Sequence, residues 1–251
     1  MVAGVFDSGI GGLTVLKSLV EAKLFEKIIY FGDTARVPYG VKDKNTIIRY
    51  SLEALEFFEN FNIDIFITAC NSVSAYAIKE LREVSKIPVV GVIEAGVLAL
   101  NQINIDKSSN ILIIGTKATI NSNRYELLLN QNGFFNTTSK ATGLFVPIVE
   151  EGIFSGAILN ETMKHYFSDL EKPKAIILGC THFPLIANEI SEYFGGVELI
   201  HSGEAIVRHL KNEYIKTPSI FKETKLEFFA SENPAGLKEV AKKWLSIKDI
   251  I

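Results

Sequence analysis

Short apolar segments alternate along the chain with longer stretches in which apolar residues recur at helical spacing. Several of these segments are continuously apolar, which is typical of parallel strands that are covered on both faces. They end at glycine, proline or small polar residues, which indicates a turn at each end. The predicted strands cover residues 2–6, 27–31, 65–69, 89–92, 110–114, 142–146, 175–178 and 198–200.

The stretches with helical spacing predict helices between these strands, and the last one opens with a proline, which is favoured at a helix start. Alternation of strand and helix indicates an α/β fold with mostly parallel sheets. A further apolar segment, residues 226–230, lies near the C-terminus. The predicted helices cover residues 12–21, 44–60, 72–85, 121–132, 158–170, 184–194 and 234–247.

Residues with possible chemistry recur at similar spacing in two parts of the chain. Cys70 follows Asp7 at nearly the same interval at which Cys180 follows Thr116, and Asp7 and Thr116 each come just after a predicted strand. The turns around the two cysteines are also alike, since both pass from an apolar strand into small polar residues. This repeat indicates that two related α/β units each contribute strand ends to one shared site.

We therefore predict two pseudo-symmetric α/β domains with the active site in the cleft between them. The C-terminal stretch, with its helix and its apolar segment, is expected to pack back on one half. The predicted division places residues 1–92 and 207–251 in the first domain and residues 93–206 in the second.

Composition narrows the class of protein. The 251 residues are 47% hydrophobic and 22% charged, which is ordinary for a globular protein with a substantial core. The 26 basic and 29 acidic side chains are spread along the chain and give a formal net charge of -3, so no basic face for a nucleic acid is evident. Nucleic acid is therefore not an expected partner.

The start of the chain and its apolar runs carry no membrane signal. Met1 is followed directly by the first strand, without the basic and long apolar regions of a secretory signal. Runs such as residues 63–69 are too short to span a bilayer. Two cysteines do not make a disulfide framework, so we expect a cytoplasmic protein without a membrane partner.

Those two cysteines are the strongest chemical signal. Cys70 opens Cys-Asn-Ser and Cys180 opens Cys-Thr-His, each at a predicted strand end. A thiolate is a nucleophile and a base, and a helix N-terminus favours it. Two such groups on opposite sides of one substrate are what a racemase needs, although a free cysteine is most often a small buried apolar residue.

The first strand leads into Asp-Ser-Gly-Ile-Gly-Gly at residues 7–12. These glycines allow a sharp turn and close approach to a ligand, and N–H groups at the start of the next helix suit a carboxylate. The spacing matches neither a P-loop nor a dinucleotide-binding fingerprint, and a plain tight turn is the simpler alternative. Asp7 is predicted to handle a proton or bind an ammonium group, or else to cap the helix.

His182 adds an imidazole that exchanges protons near neutral pH. A core histidine and a zinc ligand are the alternatives, but zinc takes about four ligands and only Cys-x-His is local here. A thiol–disulfide oxidoreductase would place its cysteines as Cys-x-x-Cys. The wide separation of Cys70 and Cys180 argues against that, while leaving open an occasional disulfide across the cleft.

Three smaller elements are candidates for completing the site. The loop Val-Pro-Tyr-Gly at residues 37–40 can offer backbone donors and a tyrosine edge, or be a plain turn. Thr116 and Thr119 supply hydroxyls, with helix capping as the alternative. Glu150 is a candidate to bind an ammonium group, and the alternative is that it is simply an exposed acid.

The joint order of these motifs resembles glutamate racemase within the aspartate/glutamate racemase superfamily, and the likeness spans nearly the whole chain. Ser72 stands where many members have threonine, which keeps a hydroxyl and loses a methyl group. The residues that carry the resemblance are 6–15, 33–40, 69–72, 147–152 and 179–184.

The resemblance implies interconversion of L- and D-glutamate in bacterial cell-wall (peptidoglycan) synthesis, without pyridoxal phosphate or another cofactor and without a metal. It assigns catalytic bases to Cys70 and Cys180, with Asp7 and His182 assisting their proton transfers. Dimers are common in the family, which implies a homodimer. The residues implied to bind substrate are Asp7, Ser8, Pro38, Tyr39, Gly40, Asn71, Ser72, Thr116, Thr119, Glu150, Thr181 and His182.

Two rival hypotheses remain at this stage. A racemase of the same superfamily that acts on aspartate or a hydantoin would use the same two thiols. A non-catalytic amino-acid-binding protein on the same duplicated fold would bind substrate without exchanging its Cα proton.

Overall fold

The computed structural model of the chain describes residues 1–215 and 221–245. Within these residues the strands are β1 (Val2–Asp7), β2 (Lys27–Gly32), β3 (Ile65–Thr68), β4 (Val89–Gly91), β5 (Ile111–Gly115), β6 (Thr137–Ala141), β7 (Ala175–Gly179), β8 (Glu198–His201) and β9 (Lys225–Ala230). The α-helices are α1 (Leu13–Glu21), α2 (Lys44–Phe58), α3 (Asn71–Tyr76), α4 (Ile78–Val84), α5 (Val92–Gln102), α6 (Lys117–Asn121), α7 (Arg124–Gln131), α8 (Phe145–Glu150), α9 (Ala157–Phe167), α10 (Ala187–Tyr193), α11 (Ser202–Glu213) and α12 (Pro234–Leu245). Short 3₁₀ helices cover Thr34–Arg36, Tyr39–Val41 and Phe183–Ile186.

The strands form two sheets, in each of which neighbouring strands run parallel. The first sheet has the order β4-β3-β1-β2-β9 and the second has the order β6-β5-β7-β8. Strand β9 brings part of the C-terminal stretch into the first sheet. The predicted α/β class with parallel sheets is confirmed.

The central strands of both sheets are buried almost throughout, which explains their continuously apolar sequences. Every residue of β3, β5 and β7 is buried, as is β1 after Val2. Asp7, Cys70, Thr116 and Cys180 lie at or just beyond the carboxyl ends of these four strands. Because carboxyl ends of parallel strands share one edge, each sheet presents two of these residues together.

A shared hydrophobic core joins the two sheets. One cluster includes fully buried Val5 of β1 and Ile113 of β5 together with Val97 of α5 and Ile206 of α11. Full burial of one such side chain stabilises the fold by about 1.5–3 kcal/mol, so this cluster holds the two halves against each other. The predicted domain division at residues 92/93 and 206/207 stays a prediction.

The prediction of a strand at residues 142–146 is wrong. The strand is β6, which ends at Ala141, and Phe145 begins helix α8. Strand β6 is half-buried along its whole length at a sheet edge, so its sequence Thr-Thr-Ser-Lys-Ala carries no apolar signal. Phe145 and Val149 are buried four residues apart, which is one face of a helix.

Several helix predictions also change. Helices α5, α6 and α11 are absent from the predicted set. Helix α5 continues from β4 without a turn, and most of its residues are buried. The predicted helix 72–85 breaks at Ala77, and the predicted helix 121–132 begins only after Asn123, whose φ of 54° is left-handed. The predicted end of the last helix, residues 246–247, lies outside the described residues.

None of the helices in the described part of the chain is both long and apolar enough to cross a lipid bilayer.

Candidate active site

Cys70 lies between β3 and α3, where the buried strand gives way to Asn71 and Ser72. Its side chain is buried, and its thiol donates to the Ser8 hydroxyl with 3.6 Å between Sγ and Oγ. Burial, and next the negative charge of Asp7, raise the pKa of Cys70 to about 12. The thiol is therefore the stable form of Cys70 in this structure.

Asp7 is the acid on the Cys70 side of the site. Its carboxyl is fully buried, and Oδ2 accepts a hydrogen bond of 3.0 Å from the Gly9 N–H. Oδ1 has no hydrogen-bond partner among the described residues. Burial raises the pKa of Asp7, although N–H groups of Gly12 and Gly9 and the charge of His182 partly offset this. A buried, half-satisfied carboxyl suits the binding or transfer of a proton.

Cys180 lies beside a histidine rather than an acid. Its Sγ lies 3.7 Å from His182 Nδ1, and His182 Nε2 lies 2.9 Å from Glu150 Oε1. Burial alone would lower the pKa of His182, but its hydrogen bonds to Cys180 and Glu150 raise it to about 10. A proton is thus held on the imidazole, between the Cys180 sulfur and the Glu150 side chain.

The glycine turn that follows β1 packs directly against the Cys180 turn. Thr14 Oγ1 donates a hydrogen bond of 2.7 Å to the Thr181 carbonyl. A Cβ on Gly11 would lie 2.4 Å from Thr181 Oγ1 and 2.5 Å from the His182 ring. The backbone of the first half therefore touches the Cys180 turn directly, which requires glycine at position 11.

A cluster of three hydroxyls joins the halves beside Cys70. Ser72 Oγ lies 3.0 Å from Thr116 Oγ1 and 3.3 Å from Thr119 Oγ1, and the two threonine oxygens are 3.1 Å apart. The Thr116 hydroxyl also accepts the Thr119 N–H as the cap of α6. The structure thus brings three predicted substrate-binding residues together, and the helix-cap alternative for Thr116 is observed.

The loop at residues 37–40 reaches the same cluster through its glycine. A Cβ on Gly40 would lie 2.5 Å from Thr116 Cβ, so the Gly40 backbone packs against Thr116. The neighbouring Val37–Pro38 peptide bond is cis. The Tyr39 hydroxyl donates to Asp33 Oδ2 at 2.5 Å, so this hydroxyl is already engaged within the protein.

Sequence reasoning missed the residues that hold these groups in place. Buried Asp33 also accepts from Ser231 at 2.7 Å and pairs with Arg36 at 2.6 Å, which ties the loop at residues 37–40 to the end of β9. Tyr125 donates to the Asn71 side chain at 2.7 Å. Asp33 stands within a motif that carries the resemblance, whereas Tyr125 lies in an ordinary helical pattern with no signal.

Two surface clefts open elsewhere than at the two thiols. One of about 490 Å³ is lined by α1, α11 and Trp244, and another of about 530 Å³ lies between α3–α4 and Arg124. Neither is lined by Cys70 or Cys180, each of which is only 6% exposed. Both cysteines are therefore buried rather than open to either cleft. In residues 1–215 and 221–245, no three His, Cys, Asp or Glu side chains are grouped to hold a metal ion.

Comparison with known proteins gives full-length matches. The glutamate racemase of a Nitratiruptor species is 62% identical over 251 residues, covering 98% of this chain and 96% of that protein. The crystal structure of glutamate racemase from Campylobacter jejuni subsp. jejuni has a TM-score of 0.97 at 54% identity, covering 99% of this chain and 100% of that one. That of glutamate racemase from Francisella tularensis subsp. tularensis in complex with D-glutamate has a TM-score of 0.87 at 36% identity, covering 99% and 96%.

These relatives are all named glutamate racemase, so racemisation is the activity that the comparisons support, and the resemblance carried by the motifs is confirmed. The family model described as Asp/Glu/Hydantoin racemase matches residues 12–210, a range that includes both cysteine turns. The chain belongs to the Asp/Glu/hydantoin racemase family.

Proposed function

We propose that this chain interconverts L- and D-glutamate by proton transfer at Cα between two thiols, without an organic cofactor or a metal. The observation that carries the proposal is the pair of buried cysteines with different helpers, Asp7 beside Cys70 and His182 beside Cys180. One cysteine takes the Cα proton as a thiolate, and the other gives its thiol proton to the opposite face. The Cα–H bond that breaks on one side is replaced by a new one on the other.

The Cα proton of an amino acid is very weakly acidic, so the site must stabilise a carbanion-like transition state. Hydrogen bonds from Asn71, Ser72, Thr181 and nearby backbone N–H groups would stabilise the charge that develops next to the carboxylate. Asp7 and Glu150 are the acids available to the ammonium group. Ser8, Pro38, Tyr39, Gly40, Thr116 and Thr119 would complete the contacts with substrate.

The resting protonation differs on the two sides. Cys70 is held as a thiol by burial and by Asp7, whereas a proton resides on His182 beside Cys180. This supports a direction of reaction in which Cys180 removes the Cα proton of one enantiomer and the Cys70 thiol donates a proton to the opposite face. For the other enantiomer Cys70 is the base and Cys180 the proton donor, so the Cys70 thiol must first lose its proton.

The cellular role follows from the product. D-glutamate would be supplied for peptidoglycan synthesis, and hence for cell-wall biogenesis and cell shape, in the cytoplasm. A homodimer is the proposed assembly. The named relatives that match over the full length support the activity on which this role depends.

Exchange of the Cα proton with deuterated water tests the proposal. Purified protein is incubated separately with L-glutamate, D-glutamate, L-aspartate and D-aspartate, and deuterium at Cα is measured by mass spectrometry. Exchange and inversion of both glutamates are expected. Exchange confined to the aspartates would identify the rival racemase, and binding without exchange would identify an amino-acid-binding protein. The double variant Cys70→Ser, Cys180→Ser is the matched control for exchange that is not catalysed by the site, because either thiol alone could still exchange the Cα proton of one enantiomer.

A further inference from the structure

The Asn71 side chain, next to Cys70, is held at both ends of its amide. The Tyr125 hydroxyl donates to Oδ1 at 2.7 Å, and Nδ2 donates to Ser202 Oγ at 3.3 Å. Asn71 and Ser202 are each 3% exposed and Tyr125 is 1% exposed, so water does not compete for these bonds. Three separate elements, α3, α7 and α11, therefore meet at one amide.

Packing fixes the position of Tyr125 between the two cysteine turns. A Cβ on Gly179 would lie 3.3 Å from the edge of the Tyr125 ring, and one on Gly96 would lie 3.5 Å from its hydroxyl. Gly179 directly precedes Cys180, and Asn71 directly follows Cys70. The ring of one tyrosine thus touches one cysteine turn while its hydroxyl binds the other.

The two hydrogen bonds select one orientation of the Asn71 amide. A tyrosine hydroxyl that is buried keeps its proton, and burial raises the pKa of Tyr125, so it acts as a donor here. Oδ1 is then occupied, and Nδ2 has one N–H on Ser202 and a second N–H to offer. The reverse orientation would turn the amide oxygen toward a ligand and repel a carboxylate.

We propose that Tyr125 is a positioning residue that orients the Asn71 amide so that an N–H, not the amide oxygen, meets the carboxylate of the substrate. The inference rests on the proposed racemase function, since it concerns the carboxylate contact of that same site. Tyr125 itself acts only through Asn71. Loss of its hydroxyl leaves the buried Oδ1 without a donor, which favours rotation of the amide.

A double-mutant cycle separates this role from a structural one. Tyr125→Phe is expected to lower kcat/KM about tenfold, the size of one lost hydrogen bond to a charged group. In an Asn71→Ala background the same change should alter kcat/KM by less than about twofold. Full tenfold effects in both backgrounds, or an unchanged kcat/KM in Tyr125→Phe alone, would overturn the proposal. If Tyr125→Phe does not fold, Ser202→Ala takes its place in the double-mutant cycle, because it removes the hydrogen bond at Nδ2 of the same amide.

Tyr166→Phe is the matched control, because the Tyr166 hydroxyl accepts a backbone N–H of Leu144 outside the site. It should lose stability without losing kcat/KM. The dissociation constant for glutamate is measured by calorimetry alongside turnover. If the wild-type chain binds glutamate but does not racemise it, the proposed function fails, while weaker binding in Tyr125→Phe still supports the positioning role. Absence of both binding and turnover in the wild-type chain overturns both.

Discussion

Gly11→Ala is the change that most directly tests how the two halves form one site. Gly11 lies in the turn between β1 and α1, under the Cys180 turn of the other half. A methyl group there would lie 2.4 Å from Thr181 Oγ1 and 2.5 Å from two atoms of the His182 ring. The ring is held by Cys180 and Glu150 and cannot simply rotate away.

The size of the effect follows from these distances. Ordinary van der Waals contact with a Cβ begins near 3.4 Å, so the Cys180 turn must retreat by about 1 Å. A displacement of about 1 Å in a catalytic group costs on the order of a hundredfold in rate. We therefore expect kcat/KM to fall about a hundredfold. The fall must be equal in both directions, because the two enantiomers are equally stable and the ratio of their kcat/KM values cannot change.

The assay follows the change in circular dichroism starting from each enantiomer, together with the thermal unfolding midpoint. Gly143→Ala is the matched control, since a Cβ at Gly143 would meet no atom within 4 Å. It should behave as the wild type. A Gly11→Ala enzyme that is folded and keeps near wild-type kcat/KM would refute the close packing of the two turns.

Further predictions concern the thiols and their helpers. Cys70→Ser or Cys180→Ser should abolish racemisation measured by circular dichroism, because serine is a far poorer base; substantial turnover in either variant contradicts the two-thiol mechanism. Asp7→Asn and His182→Gln should each raise the Cα-deuterium isotope effect mainly for one enantiomer, and for opposite ones; equal effects would contradict their separate roles. Because the pKa of His182 is raised from 6.5 to about 10, its charge stabilises the fold fully below pH about 6.5, and this contribution is lost by pH about 10. Urea unfolding should show the stability advantage over His182→Gln declining across that range, and a pH-independent difference would contradict it.

The positions of the cysteines were predictable because each follows a strand that is buried on both faces. Such strands have continuously apolar sequences, and their polar ends stand out. Strand β6 shows the limit of this signal, since a half-exposed edge strand has no apolar pattern to detect. Helix α5 was missed for the opposite reason: most of its residues are buried, so it has no polar face to show a period.

The polar residues beside the thiols were predictable only where they belong to a sequence motif. Asp7 and His182 lie within a few residues of a turn that the sequence marks, so local order indicates them. Tyr125 lies 54 residues from Asn71 in the chain and inside an unremarkable helix. Its contact depends on how α7 packs against α3, which no local pattern records.

The buried strands, the two thiols and the motifs around them can be read from the linear chain, because apolar runs and turn residues are patterns of a few residues. The tertiary structure decided the burial and the charged surroundings of each thiol. Packing of the Gly11 turn against Thr181 and His182 brings the halves together. Cys70 becomes a buried thiol beside an acid and Cys180 becomes the partner of a protonated imidazole, because burial and neighbouring charge, unlike sequence, exist only once the chain has folded.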